Sequence, residues 1–271
     1  MAESVTNPAG VGGGSSFNVS IKLEELQALI NEVRALREEN VRMFNELAKH
    51  HTILKKVLDE IDGNVSYNDF GKLVKRQVAL NSAKFVIENM HSAKFKFYRM
   101  DLLKDALKLA EIDGLYLEFG VFKGTSLNVI AESKPDKIVY GFDSFEGLPE
   151  DWEGVTSKGT FNVNGALPEV KENVKLVKGW FNETLPDFVK EHPEPCAFIH
   201  IDCDLYSSTK TVFNELKNKI VKGTVIVFDE YLNYLGWENG EHKAFTELLE
   251  ESNLTCDYFF YSAMQVAVKI K

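Results

Sequence analysis

Five short apolar runs in the second half of this chain restrict its fold more than any other feature. They are Leu115–Phe119, Lys137–Phe142, Val174–Val177, Cys196–Ile201 and Thr224–Phe228, and each is separated from the next by enough chain for a crossover helix. Strand–helix alternation of this kind predicts an α/β fold with a doubly wound, mostly parallel sheet. Two further β-rich runs, Asp257–Ser262 and Gln265–Ile270, are joined by only a couple of residues and predict a closing antiparallel hairpin. In open α/β sheets ligands collect outside the carboxyl ends of the strands. The residues that follow each run are therefore the ones that carry function.

The first half is organised differently. Residues 1–20 are rich in glycine and serine and poor in bulky apolar side chains, so they cannot offset the entropy of ordering and read as a disordered leader. From Leu26 a heptad begins: Leu26, Val33, Asn40, Leu47, Leu54 and Ile61 occupy a, and Leu29, Leu36, Met43, His50 and Val57 occupy d. Glutamates at g, with Glu32 placed to meet Arg37 at e of a neighbouring helix, and the lone polar Asn40 at a, suit a coiled coil that makes a homodimer or higher oligomer. The competing reading is an amphipathic helix packed on its own domain. The chain thus divides into a leader (1–20), a long N-terminal coiled-coil helix (21–61), a helical lead-in (62–110) and a catalytic domain (111–271).

Composition excludes several function classes. A net charge of -10 leaves no overall basic surface for a nucleic-acid partner. No apolar run is long enough to span a membrane and no signal peptide opens the chain, so it reads as cytoplasmic with no membrane partner. Cys196, Cys203 and Cys256 form no CxxC pair and fit a reducing compartment as small buried residues.

The strand ends spell out a site. After the first run, Gly120 and Gly124 let the backbone approach a ligand before a helix starts near Thr125. The second run ends in Asp143-Ser144, where an acid commonly accepts hydrogen bonds from ribose hydroxyls. The spacing is not GxGxxG, which disfavours a dinucleotide and favours a cofactor with a ribose but no phosphate. The fourth and fifth runs end in Asp202-Cys203-Asp204 and Asp229-Glu230. Four carboxylates at neighbouring strand ends repel one another unless a cation lies among them, and hard oxygen ligands suit Mg²⁺ or Mn²⁺. Some of these groups have a structural alternative, since Asp204 or Ser207 could cap the following helix.

These stretches resemble the class I methyltransferases of the macrocin O-methyltransferase type, which act on sugar hydroxyls of antibiotics and related glycosides. The resemblance rests on Leu117-Glu118-Phe119-Gly120-Val121, on Gly141 to Pro149, on His200 to Tyr206 with Ser208-Thr209, and on Asp229-Glu230-Tyr231. It spans Tyr98 to Lys271. It implies S-adenosylmethionine as cofactor, with Glu118 and Gly120 at its methionine end, Asp143 with Ser144 at its ribose, Gly179 and Trp180 at its adenine, and Asp202 also in contact. It further implies Asp202, Asp229 and Glu230 as Mg²⁺ ligands and Asp204 as general base. Glu230 stands where related enzymes have Asp, and Cys203 where they have Gly. The heptad segment is not something the resemblance foresees.

Methyl transfer to an alcohol needs the oxygen held in line with the S–CH₃ bond and relieved of its proton. A vicinal pair of sugar hydroxyls could chelate the cation, which makes a small-molecule sugar hydroxyl the expected acceptor. Tyr231, Tyr234, Trp237 and His242 follow the metal pair and are read as an acceptor wall, with His242 as an acid–base partner and packing under a loop as the bland alternative for Tyr231 and Trp237. The loop from Phe145 to Ala166 reads as a lid. Competing readings are a catechol-type phenol acceptor, an NAD-linked oxidoreductase, which lacks its glycine loop here, and an inactive methyltransferase-like scaffold, against which the intact carboxylates argue.

Overall fold

The computed structural model describes residues 23–61 and 70–271. The expected leader and the break at Asp62-Gly63-Asn64 lie outside the described residues. These residues fall into two units. The first is a single 39-residue helix, α1 (Leu23–Ile61), in which the described side chains at the a and d positions are all solvent-exposed. The second unit runs from α2 (Phe70–Asn89) to the C-terminus and includes the lead-in: α2, the two-residue strand β1 (Lys94–Phe95) and α3 (Arg99–Leu107). The boundary expected at residue 110 is therefore not a structural one.

The sheet follows as β2 (Leu115–Phe119), β3 (Val139–Asp143), β4 (Val174–Lys178), β5 (Cys196–Ile201), β6 (Val225–Phe228), β7 (Cys256–Tyr261) and β8 (Val266–Ile270). Between these strands lie α4 (Thr125–Ser133), α5 (Phe181–Glu191), α6 (Tyr206–Leu216) and α7 (Glu241–Ser252), the last preceded by a 3₁₀ turn at Trp237–Asn239. The order across the sheet is β1-β7-β8-β6-β5-β2-β3-β4, and β8 alone runs antiparallel to its neighbours. The expected parallel sheet with a terminal hairpin is present. Strand β1 was not foreseen, because two residues leave no periodic signal; it is held in parallel register with Phe260 and Tyr261.

Alternation along the strands feeds two cores. Leu115, Leu117 and Phe119 of β2 and Ile226 and Phe228 of β6 face α5, α6 and α7, whereas Tyr116, Val225 and Val227 face α3 and α4. Both faces are covered, as a parallel sheet requires.

Sequence order reverses between β2 and β5, which is the switch point where such sheets open a crevice. There the hydrogen-bond ladder runs one residue past the strands. Gly179 N donates to Asp143 O, Gly120 N to Phe142 O, Asp202 N to Phe119 O and Asp229 N to Ile201 O, at 2.8–3.0 Å. The first residue after β2, β4, β5 and β6 is thus fixed by its neighbour's carbonyl. Gly120 sits at φ 93°, and a Cβ there would lie 1.7 Å from the carbonyl oxygen of Asp202. Only glycine lets the β2 end pass the β5 end this closely.

Gly120→Ala is therefore expected to cost on the order of 3 kcal/mol, from an unfavourable φ plus displaced backbone. Urea unfolding followed by tryptophan fluorescence checks this, and an unchanged midpoint would mean that the close approach carries no strain.

Candidate functional site

A cavity of about 560 Å³ opens over the carboxyl ends of β2, β3, β5 and β6, within the range that small-molecule sites occupy. Gly120, Asp143, Ser144, Gly179, Trp180 and Asp202 all line it, and so do Asp204, Asp229 and Glu230. Nine residues expected from five separate strand ends, β2 to β6, are thereby brought to one space. Leu148, Pro149 and Phe161 of the loop after β3 form part of the wall. That loop has structure of its own: Leu148 and Gly159–Thr160 exchange backbone hydrogen bonds, Trp152 bridges to Thr156, and Glu150 accepts from the Ser207 hydroxyl.

Asp143 is more committed than its position suggested. Its Oδ2 accepts from the amides of Val121 and Phe122, both at 2.8 Å, and its Oδ1 accepts from Phe145 N at 2.7 Å. The carboxylate pins the loop between β2 and α4 against the end of β3. With two lone pairs on each oxygen, one acceptor position on Oδ1 remains for a ligand hydroxyl. Phe122 and Phe145, held by this carboxylate, both have positive φ, rare for bulky side chains.

The acidic half is dense. One carboxylate oxygen each from Asp202, Asp204 and Glu230 lie within 4.8 Å of one another, and a ring nitrogen of His200 lies within the same distance of one oxygen each from Asp202 and Asp229, which are equally close to each other. Asp204 is buried at φ 64°, and no side chain caps α6, so the capping alternative for Asp204 is set aside. Burial, then the charges of Asp229 and Asp143, push the Asp204 carboxyl up to about 7, against a hydrogen bond from Glu230 that lowers it. Burial and mutual repulsion likewise raise Asp202 and Glu230 well above the ordinary carboxylate range. Cys203 turns inward, its Sγ 3.4 Å from the Thr209 hydroxyl, so it leaves the space between the two acids to them.

Two expected site residues lie elsewhere. Glu118 does not line the cavity: it is fully buried, with Oε1 accepting from the Ser126 hydroxyl at 2.8 Å and Oε2 3.2 Å from His200 Nδ1. Burial works to lower His200, yet the hydrogen bond and charge of Glu118, with Asp202 and Asp229 beyond, push it up to about 9. The pair is an internal ion pair clamping β2 to β5 behind the cluster. His242 does not reach the cavity either. Its ring packs at 5.0–5.1 Å from the rings of Phe85, Tyr231 and Trp237, and burial lowers its basicity. Tyr231 and Trp237 are themselves buried in the core, packed against Phe85 of helix α2 and not under a loop.

Two residues of the cluster gave no signal in the sequence. Glu241 is fully buried at the start of α7; its Oε2 accepts from Glu230 N at 3.3 Å and its Oε1 has no partner. A glutamate in a helix's first turn ordinarily reads as a dipole partner at the surface. Arg99 reaches the cluster from α3 and donates to Asp229 Oδ2 at 2.8 Å. Among the described residues, the buried side-chain polar atoms without a partner all fall between Glu230 and His242, Glu230 Oε2 among them.

Comparison with known proteins gives a consistent picture. The family model for macrocin O-methyltransferase (TylF) matches residues 23–257, so the matched stretch includes α1. An uncharacterized protein, R132, of Acanthamoeba polyphaga mimivirus is 30% identical over 164 residues, which cover 59% of this chain and 70% of that protein. The 8-demethyl-8-(2,3-dimethoxy-alpha-L-rhamnosyl)-tetracenomycin-C 4'-O-methyltransferase of Streptomyces olivaceus is 28% identical over 159 residues, 49% of this chain and 60% of that protein. The crystal structure of CalS11, a calicheamicin methyltransferase, superposes with a TM-score of 0.52 at 19% identity, covering 97% of this chain and 99% of that one. That likeness concerns the fold.

A buried ion pair is costly to break singly and cheap to remove whole. His200→Leu, which strands the Glu118 carboxylate, is expected to cost about 3–5 kcal/mol, and Glu118→Gln/His200→Leu distinctly less. A double-mutant cycle in urea checks this; additive losses would mean that the two groups are not coupled.

Proposed function

Since this chain belongs to the macrocin O-methyltransferase (TylF) family and is an S-adenosylmethionine-dependent O-methyltransferase, we propose that it methylates a sugar hydroxyl of a small glycoside with the help of a divalent cation, Mg²⁺ or Mn²⁺. The observation that carries this reading is the meeting of four carboxylates, from Asp202, Asp204, Asp229 and Glu230, in the same cavity as the glycine turn at Gly120 and the ring of Trp180. The four carboxylates offer hard oxygen, ligand atoms of Asp202 lie within 4.8 Å of those of Asp229 in one grouping and of Asp204 and Glu230 in another, and Glu230 Oε2 is buried without a partner. These residues fit a divalent cation. Asp202, Asp229 and Glu230 would hold it, and when bound it supplies positive charge that stabilises a developing alkoxide.

Gly120, Ser144, Gly179 and Trp180 would line the cofactor, with the free lone pair of Asp143 turned to its ribose. The sulfonium methyl is the electrophile. The cofactor, when bound, would supply the methyl and leave as S-adenosylhomocysteine, while Asp204 would take the proton of the acceptor hydroxyl. Burial raises the proton affinity of Asp204, and a cation held by Asp202, Asp229 and Glu230 would lower it, keeping the carboxylate ionised to act as general base. Glu118 and His200 have a positioning role, holding β2 and β5 in register below the reacting atoms. The sugar acceptor is favoured over a catechol by the tetracenomycin relative, whose name specifies methylation at the 4' position of a glycoside.

We also propose that α1 pairs with α1 of a second copy. Its a and d side chains, Leu29, Val33, Leu36 and Met43 among them, are exposed along the helix, a surface that a monomer would not keep dry. Asn40 at a would set the register.

Asp204→Asn is expected to lower kcat by about 10²–10⁴-fold while leaving S-adenosylhomocysteine affinity within a few-fold. Calorimetry and turnover on a panel of rhamnosides and catechols, with and without EDTA, check this. Turnover of catechols alone would reject the sugar acceptor, and full activity in EDTA would reject the cation. For α1, the full chain is expected to sediment as a dimer and the Leu36→Glu/Met43→Glu variant as a monomer; equal masses would reject pairing through this helix.

A further inference from the structure

The carboxylate cluster already contains a cation supplied by the chain. Arg99 opens α3 and lies 130 residues before Asp229, yet its Nη1 donates to Asp229 Oδ2 at 2.8 Å. The Asp229 side chain is only 7% exposed and that of Arg99 is 48% exposed. The anion is therefore fixed in the cavity wall, and the cation reaches it from the open side. Both residues line the same cavity. The charges of Asp229, Asp202 and Glu230 all act on the guanidinium. The cluster's other cation, His200, is buried against Glu118 and has no solvent to retreat into. A guanidinium attached at one end to a half-exposed stem can leave at little desolvation cost.

Asp229 cannot serve a guanidinium and a divalent ion equally well, because two cations on one carboxylate repel at short range. We propose that Arg99 is the resident counter-cation of the cluster, seated on Asp229 until a divalent cation displaces it. This inference rests on the divalent-cation reading given above and adds a competitor to it. The apparent affinity of the site for its ion is then set partly by how firmly the chain's own arginine holds Asp229. Without the ion, the same contact is what keeps the crowded carboxylates tolerable.

The test is Mn²⁺ binding to the full chain without cofactor or acceptor, read from the electron paramagnetic resonance of free Mn²⁺. Arg99→Gln removes the charge and is expected to bind Mn²⁺ roughly tenfold tighter than wild type, the worth of one charge-assisted hydrogen bond. Arg99→Lys keeps a charge but loses the planar fork and is expected to fall between the two; it stands in should Arg99→Gln fail to fold by circular dichroism. Asp202→Asn is expected to weaken binding in every background, which ties the ion to this cluster. Wild-type binding that Arg99→Gln or Arg99→Lys leaves unchanged or weaker would overturn the proposal and leave the cation reading standing. Absence of Mn²⁺ binding in folded wild type and variants, or binding that ignores Asp202→Asn, would overturn both.

Discussion

Repulsion among carboxylates at the ends of β5 and β6 is the constraint to which the rest of the site answers. Asp202, Asp204, Asp229, Glu230 and Glu241 meet at and behind the wall of the cavity, and burial raises the proton affinity of Asp202, Asp204, Glu230 and Glu241. A purely structural domain has no use for such a grouping. Around it stand the features that make it tolerable: Arg99 on Asp229, the His200 imidazolium behind Asp202, and the amide of Glu230 held by Glu241. On the proposed reading, the same crowding would draw a divalent ion to the cluster and leave Asp204 to serve as the base.

Such a cluster needs a rigid frame, and the sheet provides one. The first residues after β2, β4, β5 and β6 are each tied to a neighbouring carbonyl, so the acids stand at fixed heights. Local strain is concentrated at the same edge. Phe122, Phe145 and Asp204 all take positive φ within a few residues of a strand end, and Gly120 passes the Asp202 carbonyl at a distance no side chain permits. Backbone strain of this kind persists only where surrounding packing over-determines it. Here that packing is the two cores on either face of the sheet, with Phe119, Phe142 and Phe228 directly below the site.

The strand pattern and the residues after each strand were legible because both are local. Period-2 apolar runs mark strands wherever they occur, and a parallel sheet puts their carboxyl ends on one edge whatever lies between. Asp202, Asp204, Asp229 and Glu230 could be grouped for that reason. Glu118 is expected at the cofactor through the family resemblance, but β2 alternation turns it to the face covered by α4, where Ser126 and His200 meet it. His242 carried a catalytic expectation on residue type alone; Phe85, from a helix some 150 residues earlier, encloses it. Asp143 was read as a ribose acceptor, and its three bonds to backbone amides belong to a loop conformation that no spacing encodes.

What the chain's one-dimensional order determined was the sheet, its terminal hairpin and the line of acids along one edge, since these follow from side-chain period and right-handed crossovers. Tertiary structure alone decided which charges would balance those acids. Arg99 enters from a helix whose sequence carries no mark of the site, Glu241 adds a further acid from another such helix, and His200 is committed to Glu118 by a register between two strands. The physical reason is range. Periodicity and turn chemistry act over a few residues, whereas the energy of a buried charge depends on every group within several ångströms, from wherever in the chain the fold delivers it.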